Sequence, residues 1–388
     1  MVITNPVFTP PPVQRLLSLD VLRGVTIAFM IMVNNNGGPG AWGFMKHSAW
    51  NGLTATDLVF PTFVFVVGVS IVFAFEARLA RGTTRTELTW HTVKRAAILF
   101  LLGIVLNGFP FFELAHLRIY GVLERIAVCY LVVGLFYLWE RRVWTKVAVL
   151  AAVLVGYWVL LRWVPVPGAG MPGRDIALLD PDQNMVAWLE QHLMPFHPYE
   201  DWTPHSLRVP DGLLSDIPAL GTTLLGLLAG LWLRTGRAAK AKTVGLALGA
   251  AACLGSGYLW SVWFPLNKKM WTSSYVLVAA GWSLAALALA YWAVEEKGWR
   301  KGWTWPWLVF GSNAIVAYMF SGMLPAAARA AYSHAIGKPV GQPTHAGRIL
   351  FSGIPDPGWA AFAYSLSVLA VCFVPVWALY RKKIFVKI

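Results

Sequence analysis

Charge is scarce in this 388-residue chain. Asp, Glu, Lys and Arg make up 13% of it, about half the share usual in soluble domains. A water-soluble globule of this length needs more polar surface, and 57% apolar residues exclude a disordered chain. Cysteine is almost absent: Cys129, Cys253 and Cys372 all fall inside apolar runs without metal-ligand spacing. That excludes a disulfide framework, gives no metal centre, and leaves the three as small buried hydrophobes. Also missing are GxxxxGK[ST], HExxH, GxSxG and a Rossmann fingerprint opening a helix after a strand. Acidic residues are few, 18 against 32 basic ones, for a net charge of +14. The basic residues are scattered between apolar runs instead of forming a stripe, so membrane topology explains them and nucleic acid is not a partner.

What the chain does have is apolar length. Runs recur at about 19–36, 55–76, 95–111, 121–139, 145–163, 213–233, 243–264, 272–293, 306–325 and 357–380, each near the roughly 20 residues that cross a bilayer as a helix. The expected fold class is all-α: a polytopic integral membrane protein of about ten transmembrane helices, solvated by lipid, forming one domain over 1–388. The polar, proline-rich residues 1–15 read as a cytoplasmic tail and not as a removable signal peptide. With that tail inside, the inner segments carry 21 Lys and Arg and the outer ones 10, Arg125 lying within a span. This bias predicts N-in and C-in.

Most connections are short. Two outer loops are long, 164–212 and 326–356, and long loops in compact proteins tend to be functional. The segment 162–212 has seven acidic residues, Asp175, Asp180, Asp182, Glu190, Glu200, Asp201 and Asp211, against Arg162, Arg174 and Arg208. It holds an amphipathic stretch from Asn184 to Met194 and ends at the turn signal Pro210-Asp211-Gly212.

An ionisable residue inside a span is a functional hypothesis by default. Asp20 and Arg23 are three apart in the first span and share a helix face. They read either as an anchoring ion pair or, with Arg15, as an inner mouth for a phosphorylated ligand. Asn34-Asn35-Asn36 followed by Gly37-Gly38-Pro39-Gly40 unwinds the first helix into free backbone, which lipid tolerates only beside protein or a wet cavity. The next segment, Lys46-His47-Ser48-Ala49-Trp50-Asn51-Gly52-Leu53-Thr54-Ala55-Thr56-Asp57, heads the second span. Thr54 or Thr56 is expected to cap that helix, with Asp57 in its first turn. Imidazole titrates near neutral pH without help, which suits His47 to proton transfer. Glu124 and Arg125 are adjacent in the fourth span and point to different faces, so at least one must meet a partner inside the bundle. Asp216 and Asn313 read as interhelical hydrogen-bonding residues.

Read together, RLLSLDVLRG (15–24), VNN…KHSAWNGLTATDLVFP (33–61), RIYGVLERIAV (118–128), PDGLLSDIPAL (210–220), PLNKKMWTSSYV (265–276), GSNAI (311–315) and LYRKKIFVKI (379–388) closely resemble the heparan-α-glucosaminide N-acetyltransferase family, bacterial homologues included. The resemblance implies a transmembrane acyltransferase using cytosolic acetyl-CoA to acetylate the amino group of a terminal glucosamine across the membrane. It implies a homodimer and, since the family's extra N-terminal luminal region is not matched here, a multi-pass protein of a bacterial inner membrane. The family histidine falls on His47. The family asparagine falls on Asn34, with Asn36 still open because two extra residues intervene before His47. Beside these, the polar residues themselves offer Asp57 as the group holding the imidazole tautomer or the substrate ammonium, Asn36, Asn51 and Lys268 as candidates beside the acceptor, and Arg15, Arg23, Arg125 and Glu124 as candidates along the donor. The competing class is a sugar or amino-sugar transporter, since broken helices and embedded charges also suit a permeation path.

Overall fold

The computed structural model describes residues 16–112, 117–193, 212–336 and 350–386. Their regular structure is helical: α1 (Leu17–Asn34), α2 (Val59–Leu79), α3 (Arg85–Gly108), α4 (Val122–Trp139), α5 (Val143–Trp163), α6 (Met185–Leu193), α7 (Asp216–Leu233), α8 (Ala239–Ser261), α9 (Ser273–Tyr291), α10 (Trp305–Ser312), α11 (Ala314–Ile336) and α12 (Pro357–Arg381). Single 3-10 turns, Thr56–Leu58 and Leu213–Ser215, lead into α2 and α7, and a π-helical turn, Trp292–Glu296, extends α9. Ten helices among the described residues are long and apolar enough to cross a membrane.

Two expected spans are displaced. The third begins ten residues earlier than its apolar run, because a capping box starts it: Thr84 accepts from Glu87 N while Glu87 accepts from Thr84 N. The ninth run is cut at Asn313, which leaves the helical region between α10 and α11. The membrane-length helix is therefore α11, and it carries residues 326–336, placed in a loop by composition, as regular helix.

The ten helices fall into two classes. α1, α2, α4, α7 and α9 are 56–67% buried along their most apolar windows, whereas α3, α5, α8, α11 and α12 are only 11–28% buried. The second group exposes residues such as Leu101, Val155 and Leu248 and tryptophans such as Trp90, Trp144 and Trp359, the surface a helix presents to lipid and its interfaces. In lipid no hydrophobic force drives helices together, so close van der Waals contact must do so. At the α2–α7 crossing a Cβ on Gly68 would overlap the Thr223 carbonyl, and one on Gly226 would overlap that of Phe65. α1 and α10 cross the same way, through Gly24 against Trp307 and Gly311 against Asp20.

α2, α4 and α7 run parallel, as their contacts at both ends show. Where they finish, Glu76 of α2 binds Tyr137 Oη at 2.7 Å, Arg141 at 2.9 Å and Arg234 at 2.9 Å, tying the three helix ends together. Where they start, Arg125 of α4 pairs with Asp216 of α7 at 2.8 Å and its guanidinium lies 4.7 Å from the ring of Trp271, just before α9. Tyr275 of α9 donates to the carbonyl of Asp57, just before α2, at 2.6 Å. Four helix starts thus converge at one end of the bundle.

Candidate active site

At that end the chain leaves α1 through Asn34 and folds residues 35–58 back over the start of α2. The expected capping is replaced by loop closure. Thr56 Oγ1 donates to Phe44 O at 2.8 Å and Thr54 Oγ1 to Lys46 O at 2.7 Å, so both hydroxyls hold the preceding loop. Asp57 gathers the rest. Its Oδ2 accepts from Ser48 N, Thr54 N and Thr54 Oγ1, each at 3.0 Å, and its Oδ1 lies 2.6 Å from His47 Nδ1.

The carboxylate is 1% exposed and the imidazole 51%. A buried charge needs this density of partners, because desolvation alone would cost several kcal/mol. Lys268 completes the group, its Nζ 3.6 Å from Asp57 Oδ1 and 3.1 Å from His47 Nδ1. Nδ1 cannot both donate to the carboxylate and accept from the ammonium. At 2.6 Å, an unprotonated Nδ1 would set lone pair against lone pair, so Nδ1 carries the hydrogen and Lys268 serves Asp57. Nε2 is then the basic nitrogen of this half-exposed ring.

Other expected residues take distinct places. Asn51 Oδ1 accepts from buried Asn267 Nδ2 at 3.1 Å, and Gly52 N donates to Leu266 O at 2.8 Å, sewing the histidine loop to the 264–272 turn. Asn36 is occupied with its own loop, donating to Met45 O and accepting from Gly38 N, both at 3.1 Å. Asn34 ends α1 with an exposed carboxamide. Arg125 and Glu124 are both 1% exposed. Arg125 binds Asp216, Ser215 and the Gly212 carbonyl, and Glu124 accepts from Asn107 Nδ2 at 2.9 Å. Both neighbours therefore meet interior partners, and Asp216 has the interhelical role expected of it. Asn313 instead clasps the C-terminal tail, donating to Ile384 O and accepting from Val386 N.

Arg23 lies in the opposite half of the bundle, where it pairs with Asp20 at 3.0 Å and donates to Ser70 Oγ at 3.0 Å. Arg15 falls outside the described residues. Sequence reasoning did not anticipate that Lys268 meets His47 across 221 positions, or that Tyr275 secures the Asp57 backbone. Just before α4, burial and the nearby charges of Asp216 and Glu190 push the Tyr120 hydroxyl above its ordinary pKa.

Chemically, the arrangement can serve as a base with an oriented tautomer: a carboxylate fixes Nδ1–H, a lysine balances the carboxylate, and Nε2 is left for a proton. No group of three or more His, Cys, Asp or Glu arranged to hold a metal occurs among the described residues. Comparison with known proteins adds the family. The human protein named heparan-alpha-glucosaminide N-acetyltransferase is 30% identical over 80% of this chain and 52% of its own length. The mouse protein of that name is 27% identical over 97% of this chain and 61% of its own. The chain thus spans between half and two thirds of the length of these relatives. The profile of the family described as heparan-alpha-glucosaminide N-acetyltransferase, catalytic, matches residues 15–260, which include His47 and Asp57, and the chain belongs to that family.

Proposed function

We propose that this protein is an N-acetyltransferase that moves the acetyl group of acetyl-CoA across the membrane onto the amine of a glucosamine-type sugar. The observation that carries the reading is the oriented imidazole at the convergence of four helix starts. The relatives' names describe an N-acetyltransferase acting on a heparan alpha-glucosaminide, which supports the reading.

An amine attacks a thioester only with its lone pair free. His47 Nε2 takes the proton as the nitrogen–carbon bond forms, and Asp57 stabilises the resulting imidazolium through Nδ1–H. The carbonyl oxygen gains negative charge in that step. The exposed amide of Asn34 is the candidate donor for it, with Asn36 the alternative, and a contact of this type is worth about 10²–10³ in rate elsewhere. Collapse of the intermediate breaks the carbon–sulfur bond, and the imidazolium returns a proton to the departing thiolate. Donor and acceptor are bound together, so the acetyl group passes directly between them without an acetyl-enzyme.

Coenzyme A is multiply charged and does not cross lipid. Its nucleotide is assigned to the Arg23 end, with Arg15, and its pantetheine arm runs toward His47 past Arg125 and Glu124. Asn51 and Lys268 border the acceptor. The excess of Lys and Arg in the segments connecting at the Arg23 end supports placing that end, and both termini, on the cytoplasmic side of a cell inner membrane. The test is mass spectrometry of products after purified protein is mixed with acetyl-CoA and a panel of amino sugars. Acetylated glucosamine is expected. Reconstituted protein that moves labelled sugar without acetyl-CoA, and forms no acetylated product, would make it a transporter.

A further inference from the structure

Between α9 and α10 the chain repeats itself. Lys297-Gly298-Trp299-Arg300 is followed at once by Lys301-Gly302-Trp303-Thr304, and the two glycines take the same left-handed turn, with φ of 69° and 70°. A Cβ at either would meet nothing within 4 Å, so the backbone conformation, and not crowding, requires glycine here. Each turn presents one lysine and one tryptophan outward. Trp299 is 54% and Trp303 44% exposed, and Trp305, two residues on, is 43% exposed. Both lysines are exposed, and among the described residues neither is paired with a carboxylate.

The loop is preformed. Trp303 Nε1 donates to Trp299 O at 2.9 Å, and Trp299 packs edge-on against Trp292 with ring centroids 5.0 Å apart. Arg300 donates to Val294 O at 3.1 Å and to Glu295 at 3.0 Å, and Glu295 in turn accepts from Ser18 N at 2.9 Å at the start of α1. Arg300 thus balances Glu295, while Glu296 is held by Thr243 Oγ1 of α8 at 2.6 Å. That contact brings the start of α8 alongside, with Lys240 and Lys242. The surface is left with four lysines against one carboxylate.

Its depth follows from α1. Glu295 lies level with Ser18, whereas Trp307 meets Gly24 and Gly311 meets Asp20, so α10 runs antiparallel to α1. Six residues of helix separate Ser18 from Gly24, which puts Trp307 about 9 Å further into the bundle than Glu295. The repeated turns span that rise. Lysine stems reach back to the level of lipid phosphates, and indoles favour the boundary with the acyl chains.

We propose that this tandem Lys-Gly-Trp loop is a docking site for an anionic phospholipid of the leaflet at the Arg23 end. Lys297 and Lys301, with the lysines of α8, hold the headgroup, and the exposed tryptophans flank its glycerol and upper acyl chains. A zwitterionic headgroup carries its own ammonium and gains less from this surface, so the site selects net negative charge.

Full-length protein in detergent is titrated with phosphatidylglycerol and with phosphatidylcholine, and bound lipid is counted by native mass spectrometry. Wild type should retain phosphatidylglycerol in preference. Lys297→Ala with Lys301→Ala should weaken that binding about thirtyfold, at roughly 1 kcal/mol for each lysine. Arg81→Ala with Arg85→Ala removes the same charge from the exposed α2–α3 turn at that end and should leave the binding near wild type. Trp299→Ala with Trp303→Ala should lose the same lipid, and quenching of tryptophan emission by acyl-brominated phosphatidylglycerol should fall with it. Should the tryptophan variant unfold, the lysine pair decides. Equal loss from the α2–α3 pair would reduce the effect to the general attraction of a basic surface and overturn the site. Wild-type retention by the lysine variant, or equal retention of phosphatidylcholine by wild type, would overturn it as well.

Discussion

Asp57 divides its carboxylate between two tasks: Oδ2 closes the loop through Ser48 and Thr54, and Oδ1 faces His47 Nδ1 at 2.6 Å. One side chain therefore both shapes the loop and selects the imidazole tautomer. This coupling is why the two residues stand ten apart with a folded loop between them, and it generates the first expectation.

Asp57→Asn retains the shape but turns the tautomer, because an amide nitrogen cannot accept Nδ1–H. Transfer should fall about 10²–10⁴-fold in kcat, with the glucosamine KM little altered. Steady-state kinetics alongside a melting curve checks this. An unchanged kcat removes Asp57 from the reaction, and a collapsed melting curve shows that loop closure is its main role.

Arg125→Ala removes the guanidinium paired with the buried Asp216 carboxylate and should cost about 3–5 kcal/mol of stability. Replacing both, as Arg125→Met with Asp216→Leu, should recover most of that loss. Thermal unfolding in detergent measures the stability, and acetyl-CoA affinity of the double variant decides the arginine's second role. Weakened affinity places Arg125 on the donor arm, and wild-type affinity assigns it to packing alone.

Gly226→Ala forces a methyl into the Phe65 carbonyl across the α2–α7 crossing and should destabilise by about 1–3 kcal/mol or more, as overpacking does. Gly255→Ala on α8, where a Cβ meets nothing within 4 Å, should be neutral or stabilising by about 0.5–1 kcal/mol. Equal melting temperatures for the two variants would mean that this crossing is not close-packed.

Much of this architecture is legible in one dimension. Ten apolar runs gave ten membrane-length helices because a bilayer demands that length from any single span, and the polar segment 46–57 marked a candidate site because so many polar groups are costly at a span's head. The third helix start was legible in principle through the Thr84–Glu87 pattern, but the polar residues of its first turns hid it from hydropathy. Which spans are central was not legible. α5 and α9 have mean hydropathies of 1.9 and 1.8, yet 22% and 61% of their windows are buried, since lipid and protein interior are equally apolar solvents. The Lys268–His47 contact was hidden for a related reason: helix packing alone brings these residues together.

Initial-rate plots with both substrates varied should intersect, as a ternary complex requires. Parallel lines with a recoverable acetyl-enzyme would instead make Nε2 of His47 the nucleophile, with Asp57 supporting the acyl-imidazole.

The central claim is tested most directly by His47→Ala in nanodiscs, mixed with acetyl-CoA and glucosamine and read by mass spectrometry of the sugar, with acetyl-CoA affinity measured on the same sample. The account predicts loss of acetylated glucosamine by at least the roughly 10²–10⁴-fold that a positioned base supplies, with donor affinity retained within about tenfold, or 1.4 kcal/mol. Product formed at the wild-type rate by His47→Ala would contradict it.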